Sequence, residues 1–169
     1  ASIPNVNLCW IGTRQIPYSY VDIATPAVDN HMIAAFEHDG KIIFLDATDK
    51  ETKYGLPTSF IQGKDALIKI GNSYKIIPVP VVNAEENVVE ETLNLKLNKN
   101  KIEGSGKMSI NGLTRSHYLL SMGDASGKTR FEMVKSLVLK GNNKFNLKDY
   151  NEENIKDRNL PYIINFNFD

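Results

Sequence analysis

His31 and Asp46 are the two residues whose types and spacing could do chemistry: an imidazole able to take up a proton near neutrality and, 15 residues on, a carboxylate able to orient it. Both fall at the open end of one predicted β-hairpin. Met32-Ile33-Ala34-Ala35-Phe36 and Lys41-Ile42-Ile43-Phe44-Leu45 are short apolar runs, and Asp39-Gly40 between them is a strong two-residue turn signal. Pairing His38 with Lys41 sets Ile33 opposite Asp46 and puts His31 two residues along on the same face. The imidazole and the carboxylate are then diagonal neighbours, roughly 7 to 8 Å apart at the backbone and within reach of a hydrogen bond. Such a pair is the base and orienter half of a nucleophilic triad. The same residues also read as a hydrogen-bonded histidine beside a hairpin and an aspartate capping the turn at Ala47-Thr48.

Around this hairpin the sequence resembles a family. The residues that carry the resemblance are Gly12 with the strand-like Ile16 to Ile23, then Asn30-His31-Met32-Ile33, Gly40 through Leu45-Asp46-Ala47-Thr48, and Tyr54-Gly55-Leu56-Pro57. Together they are similar to the later part of a bacterial transglutaminase-like core, one of the papain-like thiol enzymes with a Cys-His-Asp triad. Residues 5–75 carry that likeness, and residues 80–169 resemble the β-rich domain of unknown function that follows such cores in bacterial envelope proteins. The resemblance implies that His31 is the general base, Asp46 its orienting acid, and the setting the periplasm or cell exterior. In this family the nucleophilic Cys opens a helix that ends at the segment equivalent to Asn7–Gly12. It is therefore expected upstream of Ala1, in an N-terminal part of the same protein that would be this chain's partner. Cys9 falls where the family has the apolar end of that helix, which implies a small buried thiol whose pKa the helix dipole and apolar neighbours raise.

Composition narrows the field. With 20 basic and 20 acidic residues among 169, and lysines interleaved with Glu, Asp and Asn, the chain shows no basic face for nucleic acid. A single cysteine excludes an internal disulfide and a thiolate-rich zinc site. The three histidines are dispersed: His38 reads as an exposed turn residue, His117 has no second histidine at ligand spacing, and no metal or other cofactor is expected. Gln62-Gly63-Lys64-Asp65 lacks the paired glycines and Lys-Ser/Thr ending of a phosphate loop. Trp10 and Tyr18 could line a cleft beside His31 or be core aromatics. No apolar run is long enough to span a membrane.

The elements that must position the pair are mostly strands. Ala66–Ile70 and Tyr74–Val79 flank Gly71-Asn72-Ser73 as a second hairpin, with Pro78 and Pro80 ending its second strand or confining it to an edge. The stretch Pro78–Asn87 is the expected boundary, dividing residues 1–79 from 80–169. Beyond it, Glu91–Leu97 alternates polar and apolar residues and turns into Ile102–Ile110, as in an antiparallel sheet with one wet face. A helix is predicted from Ser126 to Lys140, with Phe131, Val134, Leu137 and Val138 at helical spacing and Gly141 as its stop, and a shorter one from Thr114 to Met122. Closing strands are expected near Lys144–Tyr150 and Tyr162–Phe168. The fold class is α+β: a remnant of a transglutaminase-like core sheet, then an antiparallel sheet with one or two packed helices.

Three functions stand open at this point. The chain is the C-terminal fragment of a thiol acyltransferase or peptidase acting on protein or peptide, or a binding module in which His31 and Asp46 are vestigial, or a structural domain that completes its parent's core.

Overall fold

The computed structural model describes residues 6–139, 141 and 144–169. The chain divides between Asn83 and Ala84 into two compact units.

The first unit is one antiparallel sheet of five strands: β1 (Val6–Ile11), β2 (His31–His38), β3 (Lys41–Leu45), β4 (Asp65–Ile70) and β5 (Ser73–Pro78), ordered β3-β2-β1-β4-β5. His38 pairs with Lys41 across the β2–β3 turn, where Asp39 and Gly40 have φ of 51° and 71°. Two successive left-handed residues match the right-handed twist of the strands they join, and glycine adopts that conformation without steric cost. One face of the sheet is core: Cys9, Ile11, Ile33, Ala35, Phe44, Ala66 and Ile68 are buried with Ile61 and Val79 from the connecting segments. The other face keeps Leu8, Met32, Tyr74 and Ile76 exposed. β5 is an edge strand that ends at Pro78, where the missing N–H breaks no central ladder.

Two expectations fail here. Cys9 lies in the middle strand, paired with Ile33 and Ile68, and not at the end of a helix. Residues 16–23 form no strand: they are irregular, with a turn at 20–22. Their polar groups close locally: Asp22 accepts from the Ser19 N–H (3.0 Å) and hydroxyl (2.7 Å), and Lys64 Nζ donates to the carbonyls of Ile16 (2.8 Å) and Tyr18 (2.9 Å). Side chains that satisfy the backbone in this way compete with a ladder.

The second unit is α+β. Its strands β6 (Val89–Asn98), β7 (Lys101–Ile110), β8 (Leu147–Glu153) and β9 (Tyr162–Phe168) form an antiparallel sheet ordered β6-β7-β9-β8, with α1 (Gly112–Met122) and α2 (Gly127–Val138) between β7 and β8 in sequence. Leu119, Met122, Val134 and Val138 from the helices bury with Met108, Ile110, Tyr162 and Ile164 from the sheet. Phe131 and Leu137, expected at the centre of this contact, are only partly buried. The face of α2 is turned toward Arg130, whose guanidinium is buried on Glu152 (Nε 3.1 Å). α2 stops at Val138, where Leu139 is already extended, short of Gly141; Lys140 lies outside the described residues. β8 starts at Leu147, later than expected, with a register irregularity before Asp149. Among the described residues no helix is long and apolar enough to cross a membrane.

Candidate functional site

His31 opens β2 and Asp46 directly follows β3, so the hairpin register brings them together: Ala34 pairs with Leu45, and one step further Ile33 comes opposite Asp46. His31 Nε2 stands 3.1 Å from Asp46 Oδ2. The imidazole side chain is 16% exposed and the carboxylate 3%, so the ring is within reach of a ligand while its partner is shielded from water. An ionised carboxylate only accepts, so in the neutral ring Nε2 carries the hydrogen and Nδ1 the lone pair. The arrangement leaves one ring nitrogen free to take a proton.

Asp46 is saturated with donors. Its Oδ2 also accepts from the Thr58 hydroxyl at 2.8 Å, and its Oδ1 accepts from the Thr48 N–H at 3.1 Å and the Thr48 hydroxyl at 2.7 Å. Burial pushes this carboxyl upward, but the bonds from Thr48, Thr58 and His31 outweigh it and hold the group below the ordinary aspartate range. Ionised at neutral pH, Asp46 fixes the ring's tautomer and stabilises an imidazolium when one forms. The Phe60 ring meets His31 edge-on, with centroids 5.4 Å apart.

Neighbouring loops hold the entrance to β2. Asn30 accepts from the Thr13 N–H (2.9 Å) and donates to the Thr13 hydroxyl (3.0 Å), so the Asn-His pair combines a loop clamp with the base itself. Tyr20 donates its hydroxyl hydrogen to Asp29, with the Trp10 carbonyl 3.4 Å from the same oxygen, and burial followed by the Asp29 contact raises its pKa far above that of a free phenol.

The other expected participants are elsewhere. Trp10 pairs with Met32 and faces away from His31, in contact with Tyr74. Tyr18 shares a small recess with Tyr20, Asp29 and Lys64 in which His31 takes no part. Cys9 lies on the inner face with His31 but opposite Ile33, wholly buried, and burial pushes its thiol up to about 11. Its Sγ lies 3.9 Å from the Asn7 carbonyl. The thiol is protected, as expected, through desolvation in a strand and not through a helix dipole. Among the described residues no three His, Cys, Asp or Glu side chains converge as metal ligands.

Thr58 and Phe60 were not singled out from sequence. The only local signal is the position of Thr58 directly after Tyr54-Gly55-Leu56-Pro57; Phe60 has none, because its contact depends on the path of the 46–64 connection.

Comparison with protein-family models, with curated proteins and with solved structures gives no match.

Proposed function

We propose that His31 and Asp46 are the general base and orienting acid of a thiol-dependent acyl transfer or peptide hydrolysis, of the transglutaminase-like kind. The observation that carries the reading is the bond from His31 Nε2 to a buried, fourfold-bonded Asp46, which leaves Nδ1 as the working nitrogen. The nucleophile in this proposal is a cysteine other than Cys9, supplied by another segment of the parent protein. Its thiol proton passes to Nδ1, and the thiolate adds to an amide carbonyl of a protein or peptide. The imidazolium returns the proton to the departing amine, leaving a thioester that water or a second amine resolves. No cofactor enters these steps, and the resemblance favours a bacterial envelope setting for them.

A second reading is favoured by the apolar outer face of the first unit, where Leu8 is 53% and Met32 55% exposed beside Tyr74 and Ile76. Contiguous exposed apolar side chains mark a surface that packs against something. In this reading the unit completes a larger core and the dyad is vestigial.

The deciding experiment measures amide-bond cleavage or transamidation by the protein at its full natural length. His31→Ala should lower the rate by at least ~100-fold, as for loss of a general base, and Asp46→Asn should shift its pH profile. A rate unchanged by His31→Ala would leave the structural reading.

A further inference from the structure

β6 is a ten-residue edge strand with β7 on one side and no strand of the described residues on the other. All ten of its residues pair in register with β7, with no bulge and no proline. The opposite edge of the sheet is blunted: β8 has an irregular register before Asp149 and carries Asp149, Glu152 and Glu153. Long regular edges are templates for pairing with another chain; β6 carries charges, as β8 does, but lacks the irregular register that breaks the β8 edge.

The side chains of β6 sort by face. Leu93, Leu95 and Leu97 lie over Gly106, Gly104 and Ile102 of β7, on the face that carries Phe166 and Phe168. Leu95 is 62% and Leu97 73% exposed, and Leu95 borders an open apolar cavity of about 740 Å³ with Phe145 and Phe168. Glu90, Thr92, Asn94 and Lys96 lie on the polar face, all exposed.

We propose that β6 pairs antiparallel with β6 of a second copy of this chain, about a twofold axis through Leu93, joining two four-stranded sheets into one of eight. In that register Leu93 meets its own twin, Leu97 meets Val89 of the second copy, and Glu90 meets Lys96 of the second copy, twice by symmetry. Leu95 meets Glu91 of the second copy, so one face is apolar except at that pair, and opposite charges meet on the other. A slip by one residue pair would set apolar side chains against polar ones, and centring on Asn94 or Leu95 would lose both Glu90–Lys96 contacts. The open cavities of the two copies become neighbours on the same side of the joined sheet.

The test is sedimentation equilibrium of the 169-residue chain over a range of concentrations, with far-UV circular dichroism to confirm folding. A concentration-dependent dimer is expected. Lys96→Glu, which sets like charges opposite each other at an exposed position, should weaken it roughly tenfold, as should Glu90→Lys. The double exchange Glu90→Lys with Lys96→Glu should restore it. A chain that stays monomeric up to millimolar concentration, or a dimer indifferent to either single exchange, overturns the proposal.

Discussion

The Thr58 hydroxyl donates to Asp46 Oδ2 at 2.8 Å, the same oxygen that binds His31, although the two residues are separated by a connection with no regular strand or helix. That bond ties the 46–64 connection to the dyad. It is nine-tenths hidden from solvent at both ends, since Thr58 is 2% exposed and the Asp46 side chain 3%.

Replacing Thr58 by valine keeps the shape and removes the donor. The expected loss is about 1.5 to 3 kcal/mol of stability, the range for a hydrogen bond to a charged group, read by denaturant titration. The Asp46 carboxyl should rise toward its ordinary value, measurable by NMR titration. An unchanged Asp46 titration would mean that Thr48 and His31 alone hold it down.

Asp46 should also shape the acid limb of stability. Its folded pKa lies below the unfolded value of about 3.9, so the unfolded chain binds the proton more readily. The stability it contributes is complete above the unfolded value and is lost as pH falls through the folded one. Unfolding followed between pH 2 and 6 should therefore show a flatter acid limb for Asp46→Asn than for the parent chain.

Cys9 should react slowly. With its thiol near 11 and no solvent exposure, alkylation by iodoacetamide at pH 7 should trail that of the same residue in denaturant by at least ~100-fold. The 169-residue chain alone should show no cleavage of amide or ester acyl donors. Fast, pH-independent alkylation that falls on His31→Ala would instead make Cys9 the nucleophile.

In the second unit, the tip of the Phe166 ring sits against Gly106, where an added Cβ would come within 2.1 Å of Cζ. Gly106→Ala should cost about 1 to 3 kcal/mol through displacement of that ring. Leu119→Ala should cost about 2 to 5 kcal/mol, and more than Phe131→Ala, because Leu119 is buried and Phe131 only partly so. Equal costs in a denaturant titration would mean that α2 sits deeper on the sheet than its exposure indicates.

The sequence by itself determined the elements whose signals are local. Asp39-Gly40 specified the β2–β3 turn and its register, and that register alone brought His31 to Asp46. Alternation marked Tyr162–Phe168, and helical spacing with Ser126 as cap marked α2. Tertiary structure decided the rest. The run Asn7-Leu8-Cys9-Trp10-Ile11 became the central strand because β2 and β4 flank it on both sides, and no periodicity within five apolar-rich residues separates strand from helix end. Burial of Arg130 on Glu152 set the rotation of α2, a pairing across 22 residues that spacing along one helix does not encode. Thr58 and Phe60 reached the dyad through an irregular connection. Local patterns reveal which residues share a face of one element; long-range packing chooses what meets that face.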